Sequence, residues 1–418
     1  MKNKREASDG RMLLGTGATL LLFLFSTTFF LRMTGNMVQT TIPLFAESYL
    51  GMNTAEVGIV SALFLLAGVF SPLLIVTRVN IDSLDKSLLL FSAFFAATIP
   101  LFYLVGNQIE FLLLIVCSSV ASSTVMPLML TKAQTLRGGN AQRNIGFYTV
   151  ALSSSLVAGP FLEGFSAQSF GGLKPVFLVF FPFVALSVVL LALRHWRGSG
   201  KDGSDRPVTI QAATTRTRMT FSNVRDVLVS GSFLVPTIGQ LSYSIVFAGI
   251  LSFGGLLAEE KINAGYGLVF YLFGIFFTTS WIVRVLLTIM PNIRNKIRLL
   301  HASAVLSVSG LLLAGAASST TTMFATFALL GVPHGLQYPV STMLIAERIE
   351  RKDLPVANAL FTSVGAIAMA GTPVAIGYLS VRTGLSEALV LLVIPVLALW
   401  SFFYLLSKRD SRTNTIDL

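Results

Sequence analysis

Lys174-Pro-Val-Phe-Leu-Val-Phe-Phe-Pro-Phe-Val-Ala-Leu-Ser-Val-Val-Leu-Leu-Ala-Leu-Arg194 sets nineteen uncharged residues between a lysine and an arginine. As a helix rising 1.5 Å per residue, that run is about 30 Å long, the thickness of a bilayer's hydrocarbon core. The chain then changes character. From His195 to Arg225 it is polar, with Gly-Ser-Gly-Lys-Asp-Gly-Ser at 198–204 followed by threonines and arginines, a composition that reads as a flexible linker.

On the N-terminal side of 175–194, comparable apolar runs occupy 18–46, 55–77, 87–106, 110–130 and 145–168. Beyond the linker they occupy 228–257, 264–287, 299–317, 322–346, 355–380 and 387–407. The expectation is an all-α membrane protein of about 12 transmembrane helices in two six-helix pseudo-symmetric bundles. The first bundle covers 1–194, a cytoplasmic linker covers 195–226, and the second bundle with a short tail covers 227–418. Charged residues make up 12% of the chain, about half the share in soluble domains. The net charge of +11 does not point to nucleic acid, because the cations sit in short loops between apolar runs rather than on one basic face.

Lys2, Lys4, Arg5 and Arg11 ahead of an apolar stretch imitate a signal peptide. The stretch outruns a signal h-region, and further spans follow, so it reads as the first span. With the N-terminus inside, the outer loops hold only Lys174, Lys261 and Arg382, and Arg32 lies within the first span. Lysine and arginine favour the cytoplasmic side. The expected location is therefore the cytoplasmic membrane, multi-pass, with both termini cytoplasmic. Cys117 is the only cysteine, so no intrachain disulfide is possible.

The halves repeat. Pro127 maps on Pro339, Gly146 on Asn358 and Gly159 on Gly371, each at an offset of 212 residues, and Asn53-Thr-Ala-Glu-Val-Gly58 resembles Asn263-Ala-Gly-Tyr-Gly267. Two repeated bundles are a plan for a transporter with substrate bound between them.

In the fifth span, Gly146, Ser155, Gly159-Pro160 and Glu163-Gly164 keep every spacing of a motif found in drug–proton antiporters, with Ser155 and Glu163 in place of two glycines. On these residues the chain resembles the major facilitator superfamily, closest in this motif to the drug–proton antiporter or efflux-permease branch. The resemblance implies close helix packing at Gly146, Ser155, Gly159, Pro160, Gly164, Asn358 and Gly371, and a substrate site between spans 1, 4, 7 and 10. Two marks depart from it. The loop Thr77-Arg-Val-Asn-Ile-Asp-Ser-Leu-Asp-Lys86 lacks the family's glycines, and Cys117 falls near the slot of an intramembrane arginine.

Ionisable residues inside a bilayer are costly and mark function by default. Arg32 lies mid-span, with Asn36 and Gln39 further along the same helical face; a guanidinium there suits a carboxylate or phosphate. The alternative for Arg32 is a structural salt bridge, with Glu163 as partner. Glu163 is a proton-relay or gate candidate. His334, in Gly331-Val-Pro-His-Gly-Leu-Gln-Tyr-Pro339, could bind substrate or a proton, with Gln337 and Tyr338 beside it. Gln240 and Tyr243 in span 7 are further substrate contacts. Arg284 reads as a snorkelling or gate residue, and Ser118, Ser122, Asn358 and Thr362 as interhelical hydrogen bonders.

No Walker motif, His-Glu-x-x-His helix or assembled catalytic triad is present, so no enzyme, metal or cofactor is expected. The expected function is secondary active transport of a small organic solute, as proton-coupled efflux by a monomer in the lipid bilayer. Uptake or facilitated diffusion of an organic anion or sugar-like solute is the alternative, favoured by Arg32. A sensor on the same fold is a third.

Overall fold

The structure, a computed structural model, describes residues 2–79, 83–135, 141–199, 221–290, 295–350 and 353–413. Of the expected linker, residues 200–220 therefore lie outside the described ones. The described residues form no strand. In chain order the helices are α1 (Lys2–Leu50), α2 (Thr54–Leu74), α3 (Leu84–Leu104), α4 (Gln108–Thr135), α5 (Ala141–Phe170), α6 (Lys174–Ser199) and α7 (Phe221–Val229). They continue with α8 (Gly231–Ile262), α9 (Tyr266–Ile289), α10 (Lys296–Ala316), α11 (Thr320–Arg348), α12 (Leu354–Thr383), α13 (Leu385–Leu391) and α14 (Val393–Thr413).

Eleven helical segments among the described residues are long and apolar enough to cross a membrane, the last formed by α13 with most of α14. The twelfth expected span, 322–346, is α11. At 29 residues it is ample in length. Pro333, His334, Gln337, Tyr338 and Pro339 lower the hydropathy of its middle and keep it out of that group. The architecture is that of an all-α membrane protein of two six-helix bundles.

The helix ends differ from the expected span ends by a few residues or more, and at the start of α8 the reason is local. The span expected at 228–257 begins at Gly231, because the Ser230 side chain accepts a hydrogen bond from Phe233 N at 3.3 Å and caps α8. The preceding residues form the separate helix α7, whose Val227 enters a core cluster with Phe233, Ile345, Val356, Ala357 and Phe361. Asn53 and Asn263, aligned as a repeat, do opposite work. Asn53 Oδ1 accepts from Glu56 N while Glu56 Oε2 accepts from Asn53 N, a capping box that starts α2. Asn263, at φ 48°, ends α8 in the left-handed region.

By contact the chain gathers into two compact units. Unit 1 joins Met1–Val38 to Ala67–Val208, and unit 2 joins Gln39–Leu66 to Thr209–Leu418. The break points fall inside α1 and α2, so the last 12 of the 49 residues of α1 and most of α2 pack with the later helices. Lipid tails are as apolar as leucine, so helices associate through close packing and polar ties rather than through a hydrophobic drive.

Both devices are visible in each unit. In unit 1, the Phe102 ring stacks on Phe177 at 4.8 Å. The Ser71 hydroxyl donates to Val120 O at 2.9 Å and meets Thr124 Oγ1 at 2.5 Å, tying α2 to α4. In unit 2, the Ser380 hydroxyl donates to Thr54 Oγ1 at 2.7 Å, joining α12 to α2. Glycine makes that approach possible, because a Cβ on Gly377 would lie 2.5 Å from Thr54 O and 3.0 Å from Ala55 Cα.

Among the described residues, an ion pair joins helix ends in each unit. Lys132 Nζ, at the end of α4, lies 2.5 Å from Asp85 Oδ1 at the start of α3. Lys296 Nζ, at the start of α10, lies 2.7 Å from Glu347 Oε1 near the end of α11. Both carboxylates are exposed, so each pair contributes no more than about 1 kcal/mol.

Candidate functional site

Unit 1 places Arg32 on α1, half-buried. Tyr148 of α5 is near it, its hydroxyl donating to Met126 O of α4 at 3.1 Å. Among the described residues Arg32 forms no ion pair, so the alternative of a salt bridge to Glu163 is not what the structure has. Asn36, one turn on, is buried.

Glu163 is fully enclosed on α5. One turn before it, a Cβ built on Gly159 would lie 3.4 Å from Met33 Cγ and 3.7 Å from Glu163 Oε1. Gly159 thus lets α5 approach α1 at the residue next to Arg32. The bulk of leucine there would push α1 and α5 apart. Gly159→Leu is expected to slow solute turnover by roughly tenfold, the kinetic equivalent of about 1.4 kcal/mol and within the usual range for overpacking. Exchange rates in reconstituted vesicles check it, and unchanged turnover would remove the packing role.

The remaining motif positions differ among themselves. Ser155 satisfies its hydroxyl on Leu152 O at 2.7 Å, and Pro160 is buried within α5. A Cβ on Gly146 or Gly371 would meet no atom within 4 Å, so neither is a point of close approach here. Ser122 donates to Ser119 O at 3.3 Å and faces Gly35 of α1, while the buried Ser118 hydroxyl has no hydrogen-bond partner among the described residues. Gly164 is buried, and Asn358 is exposed, its carbonyl accepting from the Thr362 hydroxyl at 2.9 Å.

Unit 2 assembles a denser group. α11 crosses α9 with almost no clearance, because Gly331 rests against the Phe276 carbonyl and a Cβ on Gly335 would lie 2.6 Å from Ser280 O. That proximity brings His334 into the side chains of α8 and α9. Its ring stacks on Phe247 at 4.3 Å and lies 5.1 Å from Phe276, 5.8 Å from Phe277 and 5.8 Å from Tyr243. Arg284 Nη2 approaches His334 Nε2 at 3.4 Å. Among the described residues the buried Tyr243 hydroxyl has no hydrogen-bond partner, nor has Gln240 Oε1; Gln240 Nε2 donates to Ser244 Oγ at 3.2 Å.

Gln337 serves as a tie between α11 and α8, its Nε2 donating to Gly239 O. Tyr338 is exposed and packs beside Phe361 at 5.9 Å, with no ring contact to His334. Gln39 belongs to unit 2, lining a small pocket with Ser61 and Ser252.

The structure therefore draws Tyr243, His334 and Arg284 together, and adds Phe247, Phe276, Phe277 and, in unit 1, Tyr148, which the sequence did not single out. Adjacent phenylalanines in an apolar span carry no signal that distinguishes rings packed on His334 from lipid-facing bulk. Among the described residues no group of three or more metal-ligating side chains converges.

In comparisons with known proteins, the sequence profile of the Major Facilitator Superfamily matches residues 24–300. No curated protein matches in sequence. Among solved structures, the chain is similar to a bacterial homologue of the human lysosomal transporter Spinster in an inward-facing conformation, with 13% identity and a TM-score of 0.66, covering 94% of this chain and 97% of that one. It is also similar to the nucleoside transporter NupG, at 15% identity and a TM-score of 0.73 with 93% and 99% covered. A POT family transporter solved with 5-aminolevulinic acid is similar at 10% identity and a TM-score of 0.72, with 93% and 96% covered.

Proposed function

Since the chain belongs to the Major Facilitator Superfamily and is a membrane transporter of that type, we propose that it carries a small organic anion across the cytoplasmic membrane by alternating access. The observation that carries the anion is the meeting of Arg284 with His334 under a wall of phenylalanines, beside a Tyr243 hydroxyl without a hydrogen-bond partner among the described residues. Guanidinium and phenol donate hydrogen bonds to carboxylate, sulfonate or phosphate oxygens, and the rings suit an apolar or aromatic body. Arg32, with Asn36 and Tyr148 near it, supplies a second anion-seeking locus in unit 1. Glu163, by contrast, is fully enclosed against α1, a position that suits a structural or gating role better than contact with a cationic solute.

The proposal keeps the repeat as its frame, with halves over 1–194 and 227–418, both termini cytoplasmic on the distribution of lysine and arginine, and a monomer as the working unit. A second reading, proton-coupled efflux, is favoured by the preserved spacing of Gly146, Ser155, Gly159-Pro160 and Glu163-Gly164.

Thermal stabilisation of the purified protein by organic anions, sugars and lipophilic cations tests the choice, since bound ligand stabilises with occupancy. Stabilisation by anions, lost in Arg284→Gln, is expected. Stabilisation by cations, indifferent to Arg32 and Arg284, would replace this reading with efflux. Counterflow in sealed vesicles separates a carrier, which performs it, from a sensor, which does not.

A further inference from the structure

In unit 2, α8, α10 and α12 end at Ile262, Ala316 and Thr383, and α13 starts at Leu385. A cavity of about 580 Å³ opens among these ends. Its wall is graded along the helices. Lys261, Ser386 and Glu387 stand at the helix ends, whereas Leu312, Val390 and Leu391 lie about one turn further into the apolar spans. Leu312 is 50% exposed and Leu391 38%. The ends of apolar spans are where hydrocarbon gives way to lipid headgroups.

Two glycines shape the rim. Gly315 has no room for a Cβ against Val390, so α10 closes on α13 and presents the Gly315 carbonyl to Lys261, whose Nζ donates to it at 3.0 Å. Gly384, at φ 93°, takes a conformation that favours glycine, and a Cβ there would lie 2.5 Å from Glu387 Oε2. The bare glycine thus leaves the carboxylate its place. An ammonium has three donors, and only one of those on Lys261 goes to Gly315. Lys261 and Glu387 line one cavity, yet among the described residues they form no ion pair. Ser386 is 5% exposed and lines the same cavity, and its hydroxyl has no hydrogen-bond partner among the described residues.

We propose that this cavity binds one phospholipid whose head joins a phosphate to a primary ammonium, as phosphatidylethanolamine does. Lys261 and the Ser386 hydroxyl donate to the phosphate, Glu387 accepts from the ammonium, and an acyl chain lies along Leu312, Val390 and Leu391. Choline has the same charge but no N–H, so Glu387 reads the head by hydrogen bonding as well as by charge. A phosphatidylglycerol head gives Lys261 its phosphate and gives Glu387 no cation. The bound lipid ties the ends of α8, α10 and α13 together and stabilises the fold with occupancy. With both termini cytoplasmic, as proposed above, it belongs to the outer leaflet. None of these side chains is one assigned to the solute, so the site stands or falls apart from the organic-anion reading.

The delipidated full chain, in detergent, is titrated with short-chain phosphatidylethanolamine, phosphatidylcholine and phosphatidylglycerol. Native mass spectrometry counts the bound lipid, the unfolding temperature reports its effect, and phosphoethanolamine serves as the head without chains. The wild type is expected to bind one phosphatidylethanolamine about tenfold more tightly than either other lipid, the worth of one charge-assisted hydrogen bond. Glu387→Gln is expected to bring phosphatidylethanolamine and phosphatidylcholine within about twofold of each other, and Lys261→Gln to weaken both about tenfold. Phosphoethanolamine is expected not to displace the lipid. Equal affinity for the three lipids, or a preference unchanged in both variants, means a common lipid annulus and overturns the site. Tightest binding of phosphatidylglycerol overturns the part given to Glu387 and with it the zwitterionic head. Phosphoethanolamine binding as tightly as the lipid would put a soluble solute in place of the phospholipid. Should either variant not fold, the order of affinities in the wild type decides.

Discussion

Arg32→Gln is expected to reduce solute counterflow about a hundredfold while the protein still folds. Arg32 has no ion pair among the described residues, so its replacement leaves no buried acid stranded. Removing a charge from mid-span relieves a desolvation cost, and the unfolding temperature should hold or rise. What is lost is a charge-assisted contact to the solute. Truncating one partner of such a contact costs roughly 3 kcal/mol, which corresponds to the hundredfold figure. Glutamine keeps length and hydrogen-bonding groups, so the effect isolates the charge. Initial rates in vesicles, paired with melting curves, check it; normal flux would remove Arg32 from the site.

Gly331→Val is expected to act on stability. A Cβ on Gly331 runs into the carbonyl of Phe276, with the Thr279 Cβ at 3.0 Å, and a helix backbone cannot swing aside as a side chain can. α9 and α11 would have to separate, at a cost of about 3 kcal/mol. The displacement also pulls His334 away from Arg284, so anion binding should fall along with stability. Gly371→Ala is the matched control. It meets nothing within 4 Å, and alanine is favoured over glycine in a helix interior by up to about 1 kcal/mol. Unfolding in detergent should show the first variant destabilised and the second neutral or slightly stabilised. Equal behaviour would contradict the glycine contact.

The contrast between these glycines shows how far the sequence reaches. Membrane thickness dictates that a run such as 174–194 be helical and spanning, because every backbone group must be satisfied within it. The succession of spans follows from that constraint. Ser230 redraws the start of α8 because a cap is set locally, beneath the resolution of hydropathy. The candidate residues were legible one by one but not as a group. Arg284 and His334 are 50 residues apart, and their meeting depends on the rotation of α9 and α11 about their axes, which Gly331 and Gly335 fix by letting those helices close up. Gly159 and Gly371 look equivalent at a 212-residue offset, yet one lies against a neighbour and the other faces open space. Which of two repeated glycines is a contact is decided by the partner helix, and a single sequence contains no pairing information.

The ion pairs at the helix ends show that the tie matters by its attraction and not by its direction. Asp85 with Lys132 joins α3 to α4, and Lys296 with Glu347 joins α10 to α11, with acid and base on opposite members of the two helix pairs. The Coulomb attraction is the same whichever helix carries the acid. Exchanging both charges in one repeat, Asp85→Lys with Lys132→Asp, should then be tolerated, whereas either reversal alone sets like charges against each other and should not.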